Sequence, residues 1–110
     1  LLTTTRIIRK GFSTTLCLYG PGVLMAAAGR GFPDVGAEGF PGNLSMNKQL
    51  DTIMNEGGTI HACRFAMVAL YGMRESDIME GVKPFHPLDV LDGLIDHWRD
   101  GALTIATWTV

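Results

Sequence analysis

Long apolar runs, basic charge and cysteine are all scarce in this chain. No apolar stretch reaches the ~18 residues that a membrane-spanning helix needs, and nothing at the start reads as a signal peptide. The expected protein is therefore soluble, without a membrane role, and cytoplasmic. Charged residues make up only 18% of the 110 positions and leave a net charge of −2, with a pI near 5.8. Such a balance supplies no basic field for nucleic acid or anionic lipid. Two cysteines without secretory features suit a reducing compartment, where a reactive thiol is commoner than a disulfide scaffold. Glycine is plentiful, yet neither G-x-G-x-x-G nor G-x-x-x-x-G-K-[ST] occurs, so a nucleotide cofactor is not expected. Ser13, Ser45 and Ser76 lack the surroundings of a nucleophile elbow.

What the chain does have is apolar patterning, at 46% hydrophobic residues. One domain, 1–110, accommodates this length. The chain opens without Met on a helical pattern, in which Leu1, Thr4, Thr5 and Ile8 share a face and Gly11 follows as a C-terminal stop. A sheet protein that opens inside a helix is expected to have lost an upstream strand. Phe12 to Tyr19 reads as a strand bounded by Gly20-Pro21-Gly22, with Cys17 as a core thiol in its middle. Val23 to Ala28 is predicted as a short helix.

Seven of the fourteen glycines then fall between Gly20 and Gly42, and Gly-Phe-Pro occurs twice. This stretch is expected to be a long loop whose Phe32 and Phe40 line a pocket, dock on a neighbouring subunit or tuck beneath the loop itself. A helix capped by Asn43 follows over Leu44 to Glu56, with Met46, Leu50, Ile53 and Met54 inward. Thr59 to Ala62 is the second predicted strand, and Phe65 to Tyr71 a helix so apolar that it needs cover on several sides. Arg74 to Glu80 is read as a short helix. Pro87 starts another, with Val90, Leu91, Leu94, Ile95 and Trp98 as its stripe. Ala102 to Val110 is the third expected strand. Strands alternating with helices in this way indicate a mainly parallel α/β sheet.

Within that scheme Cys63 stands where a buried strand passes into a helix. Unpaired N–H groups, the helix dipole and Arg64 would there favour a thiolate; the competing reading is a buried structural cysteine. His61 lies two residues before it. Parallel strands open their ligand-binding edge at their carboxyl ends, so Cys63 and the Tyr19-Gly20-Pro21-Gly22 turn should meet on one side. His61, Cys63, His86 and His97 are possible metal ligands, but no second ligand pair completes a site and none is expected. His86 and His97 are explained by the start and the last turn of the Pro87 helix.

Several segments resemble the DsrE-like family, in particular the subgroup associated with bacterial nitrogen-starvation response: Tyr19-Gly-Pro-Gly-Val23, Phe40-Pro-Gly-Asn43, Ala62-Cys-Arg-Phe-Ala66, Leu70-Tyr-Gly-Met-Arg74 and Thr107-Trp-Thr-Val110. The resemblance implies a flavodoxin-like three-layer sandwich whose first strand lies upstream of Leu1. It further implies a sulfur relay with a persulfide on Cys63, a sulfur-donor protein or small-molecule ligand as partner, no cofactor, and a homo-oligomer, trimer or hexamer. The alternative is a non-catalytic binding protein in which Cys63 is a pocket wall. If the family's first strand sits between the other two, Cys17 and Cys63 lie ~10 Å apart, too far for a disulfide.

Overall fold

The computed structural model describes residues 1–28 and 46–107, apart from the side chains of residues 46 and 47. Helix α1 (Leu2–Arg9) leads through Gly11, whose φ of 91° suits only glycine, toward strand β1 (Thr15–Leu18). A 3-10 helix, Gly20–Ala26, follows. Helix α2 (Met46–Asn55) then makes the crossover to strand β2 (Thr59–Cys63), the kind of connection that a parallel pair requires. A helical segment containing a π-helical turn, Ala66–Leu70, a 3-10 turn, Glu75–Asp77, strand β3 (Lys83–Phe85) and helix α3 (Pro87–Arg99) complete the order.

Among the described residues the sheet is parallel throughout, in the order β1-β2-β3. Thr15 pairs with Thr59, Cys17 with His61, and His61 in turn with Lys83. The α/β alternation read from the sequence is thus present as a small three-stranded parallel sheet with helices. β1 and β2 bond to each other directly, which corrects the expectation of a strand between them.

One sheet face is the core. Leu18, Ile60 and Ala62 are buried there, and α2, itself packed on α1, closes over it with Leu50 and Ile53, both fully buried. The inward face expected of α1 is observed, with Thr5 buried and Leu1, Thr4 and Ile8 half-buried. Arg9 donates from Nε and Nη2 to the Glu56 carboxylate, at 2.8 Å for the shortest contact, and joins the ends of the two helices. This clasp holds the Glu56 carboxyl below its ordinary range.

α2 stops in a glycine-dependent way. Gly57 adopts φ 96°, and the Gly58 N–H donates to the Ile53 carbonyl at 2.8 Å, while that of Gly57 donates to Met54 at 3.1 Å. This is the Schellman pattern, which satisfies the last carbonyls and turns the chain into β2.

Several expectations need correction. Residues 102–107 form no strand; Leu103 is 83% exposed and Ile105 60%, because Thr and Ile favour a strand only where a sheet edge receives them. The third strand is Lys83–Phe85, too short and too interrupted by Pro84 to give a period-2 signal. The segment after Cys63 is helical as expected; within the single chain only its Ala66 and Met67 are buried, and Phe65, Val68, Leu70 and Tyr71 are exposed. In the region predicted as a helix over 74–80 only Glu75–Asp77 is helical.

Pro87 does stand at the first position of α3, and the His86 Nδ1 accepts from the Leu88 N–H at 3.2 Å. The expected inward stripe of α3 is split. Val90 is buried and Leu94 half-buried, whereas Leu91, Ile95 and Trp98 face outward. The Asn43 cap, the Gly-Phe-Pro loop with Phe32 and Phe40, and residues 108–110 lie outside the described residues.

Candidate functional site

The second sheet face carries the polar and sulfur chemistry. Parallel partners point to the same side, so the register aligns Cys17 with His61 and Lys83, and places Cys63 beside Phe85. Cys63 is the last residue of β2, and a helical segment begins at Arg64. Its position at a strand-to-helix junction is therefore as the sequence suggests.

Exposure of Cys63 is only 4%, and it contributes to the same hydrophobic cluster as Leu18, Ala66 and Met67. Arg64 points its guanidinium elsewhere, with Nε on the Glu75 carboxylate and roughly half of its side chain in solvent. The positive charge next to Cys63 in sequence is thus already shared with a carboxylate.

The Tyr19-Gly20-Pro21-Gly22 turn follows β1 and lies at the same carboxyl edge as Cys63, because the two strands run parallel. Gly20 takes φ 47°, a conformation open to glycine at little cost. The Gly22 N–H donates to the Tyr19 carbonyl at 2.8 Å and closes the turn. Beyond it, the Ala26 carbonyl accepts from Met79 and the Ala28 N–H donates to Asp77, each at 2.8 Å, which pins the far end of the 3-10 helix. Half-buried Tyr19 lies within electrostatic reach of both sulfurs: burial pushes its phenol up, and Cys17 and Cys63 add smaller upward contributions.

His61 occupies the middle of this face. Its ring meets Phe85 edge-on with centroids 4.9 Å apart, and its Nδ1 is buried with no hydrogen-bond partner among the described residues. Burial holds the imidazole below its ordinary range, and the positive charges of Lys83 and His97 act in the same direction. Burial likewise pushes the Cys17 thiol up, so it stays a thiol at neutral pH. Cys17 is nevertheless only partly buried and stands outside the buried core cluster, which corrects the expectation of a core thiol.

Proximity of the two thiols is what sequence reasoning missed. Cys17 faces His61, and Cys63 is one diagonal step farther along the same strand face, roughly 7–8 Å between Cα atoms from sheet geometry. That separation lies just beyond the roughly 4.4–6.8 Å span of a disulfide, and both cysteines are free. The alternation of β1 carries half of the signal, since it sets Cys17 opposite in sense to buried Leu18. Register against β2 carries the rest, and no local pattern specifies it. Phe85 and Lys83 were missed along with β3.

The structure brings together Cys63, His61, Tyr19, Gly20 and Gly22, turns the Arg64 side chain away, and leaves Phe32 and Phe40 undescribed. Among the described residues no three His, Cys, Asp or Glu side chains gather as metal ligands, and no helix is long and apolar enough to cross a membrane. Compared with protein-family models and with curated proteins, the chain shows no match.

Proposed function

We propose that this chain is a DsrE-like protein with a flavodoxin-like sheet that handles sulfur in bacterial nitrogen-stress metabolism, with Cys63 as the persulfide carrier. The observation that carries the reading is the placement of Cys63 at the carboxyl edge of the middle parallel strand, at the start of a helical segment and beside the Tyr19 turn. In the reaction the Cys63 thiolate attacks the sulfane sulfur of a donor persulfide. A new S–S bond forms on Cys63, and the donor leaves as its thiolate. The π-helical turn that follows is a rare element that often marks functional positions.

The working form in this reading is a cytoplasmic homo-oligomer, trimer or hexamer. Exposed Phe65, Val68, Leu70 and Tyr71 form the apolar face available for subunit contact.

A second reading is favoured by the 4% exposure of Cys63: the protein binds a small ligand or partner, and the sulfur is only part of the wall. Intact-mass spectrometry after incubation with thiosulfate or a low-molecular-weight persulfide separates the two. The carrier reading expects an adduct of one sulfur atom that disappears in Cys63→Ala and persists in Cys17→Ala. An unmodified Cys63 under donor excess refutes it and leaves the binding reading.

A further inference from the structure

A cleft of about 670 Å³ opens between α1 and α2, on the helical side of the sheet and apart from the cysteines. Arg6 and Arg9 line it from α1, Lys10 from the residue that caps α1, and Gln49 and Thr52 from α2. We infer that this cleft binds a small phosphorylated molecule. Residues three and four apart on a helix are neighbours, so the three basic side chains leave the end of α1, its cap included, within a single turn. The chain as a whole is acidic by two charges, so this is a local reversal of sign. Only Arg9 is matched, by Glu56; Arg6 and Lys10 have no carboxylate partner among the described residues.

Basic residues in a last turn also complement the helix dipole, but that dipole amounts to only about half a charge. Three cations, with one carboxylate against them, leave an excess that the dipole does not absorb. The Glu56 clasp uses Nε and Nη2 of Arg9 and leaves Nη1 out of the pair. Guanidinium donors suit phosphate oxygens. The volume exceeds what a lone phosphate fills and falls within the range of small-molecule sites, and Leu2 supplies an apolar wall while Gln49 supplies an amide. An organic phosphate therefore fits better than the free ion.

The test is isothermal titration of the full chain with inorganic pyrophosphate as the probe, at low ionic strength. One saturable site is expected, weakening as salt is added. The double variant Arg6→Gln/Lys10→Gln should raise the Kd at least ~10-fold, since a hydrogen bond to a charged group contributes about that factor or more. Arg99→Gln, a cation at the end of α3, should leave it unchanged, and circular dichroism checks that each variant is folded. Absence of saturable binding up to millimolar probe overturns the inference, as does equal weakening by the double variant and Arg99→Gln. Tighter binding of single-stranded oligonucleotides that grows with their length also overturns it, because it identifies a polyanion surface. None of these outcomes depends on sulfur transfer at Cys63.

Discussion

Replacing Gly58 with alanine should destabilise the fold, although the backbone there needs no left-handed conformation. A Cβ at this position would stand 2.7 Å from Ile53 Cγ2, 2.7 Å from Ile8 Cδ1 and 2.9 Å from the Ile53 carbonyl oxygen. Carbon atoms rest best at about 3.5–4.0 Å, so each methyl must retreat by roughly 1 Å. Ile8 ends in a movable group on half-buried α1. Ile53 does not, because its branch is fully buried and its oxygen accepts the Gly58 N–H that ends α2.

Overpacking of this kind costs about 1–3 kcal/mol, and the smaller unfolded-state entropy of alanine returns about 0.4–1 kcal/mol. The net expectation is a loss of about 1–2 kcal/mol, which lowers Tm by roughly 4–16 °C in a domain of this size. Urea and thermal unfolding followed by circular dichroism measure it. Gly93→Ala is the control with the opposite sign: nothing lies within 4 Å of its added Cβ, it sits inside α3, and the gain in helix propensity should stabilise by about 0.5–1 kcal/mol. A Gly58→Ala protein within about 0.5 kcal/mol of the wild type would refute the claim that packing against Ile53 and Ile8 excludes a side chain here.

Cys17 should react slowly with iodoacetamide at neutral pH in the folded protein and readily in urea, because burial disfavours its thiolate; comparable folded and unfolded rates, read by mass spectrometry, would contradict this. His61, held below its ordinary range, binds fewer protons folded than unfolded between its lowered pKa and about 6.5. Its stabilising contribution is therefore complete above that upper limit and fades as pH falls through the window. Wild type should lose more stability than His61→Gln in denaturant titrations between pH 7.5 and 5.5, and parallel profiles would show that His61 is not responsible. On the proposed homo-oligomer, Leu70→Glu, on the exposed face after Cys63, should shift the molecular mass from light scattering to that of a monomer while the circular dichroism spectrum is kept. A wild-type monomer would remove the interface.

Where structure follows from neighbouring residues, the sequence was readable. Gly11, Gly57 and Pro87 act within a few positions of themselves, and each bounds a helix as expected. The inward positions of α1 and α2 follow a helical period that one segment displays alone. The same period misassigned part of α3: apolar residues at Leu91, Ile95 and Trp98 describe a face without saying what covers it. Thr104 and Ile105 have strand propensity but no sheet edge to receive them, while Lys83-Pro84-Phe85 has little propensity and pairs with β2 all the same.

For the candidate site, the sequence alone determined the junction at Cys63, the glycine turn after Tyr19 and their common edge, since strand direction and chain order suffice for these. Only the tertiary structure decided that Cys17 shares a sheet face with His61 and Cys63, that Arg64 turns to Glu75, and that the sulfur of Cys63 is buried. Register, ion-pair choice and burial arise between segments far apart in the chain, and their energies depend on which surfaces meet, which a local pattern does not contain.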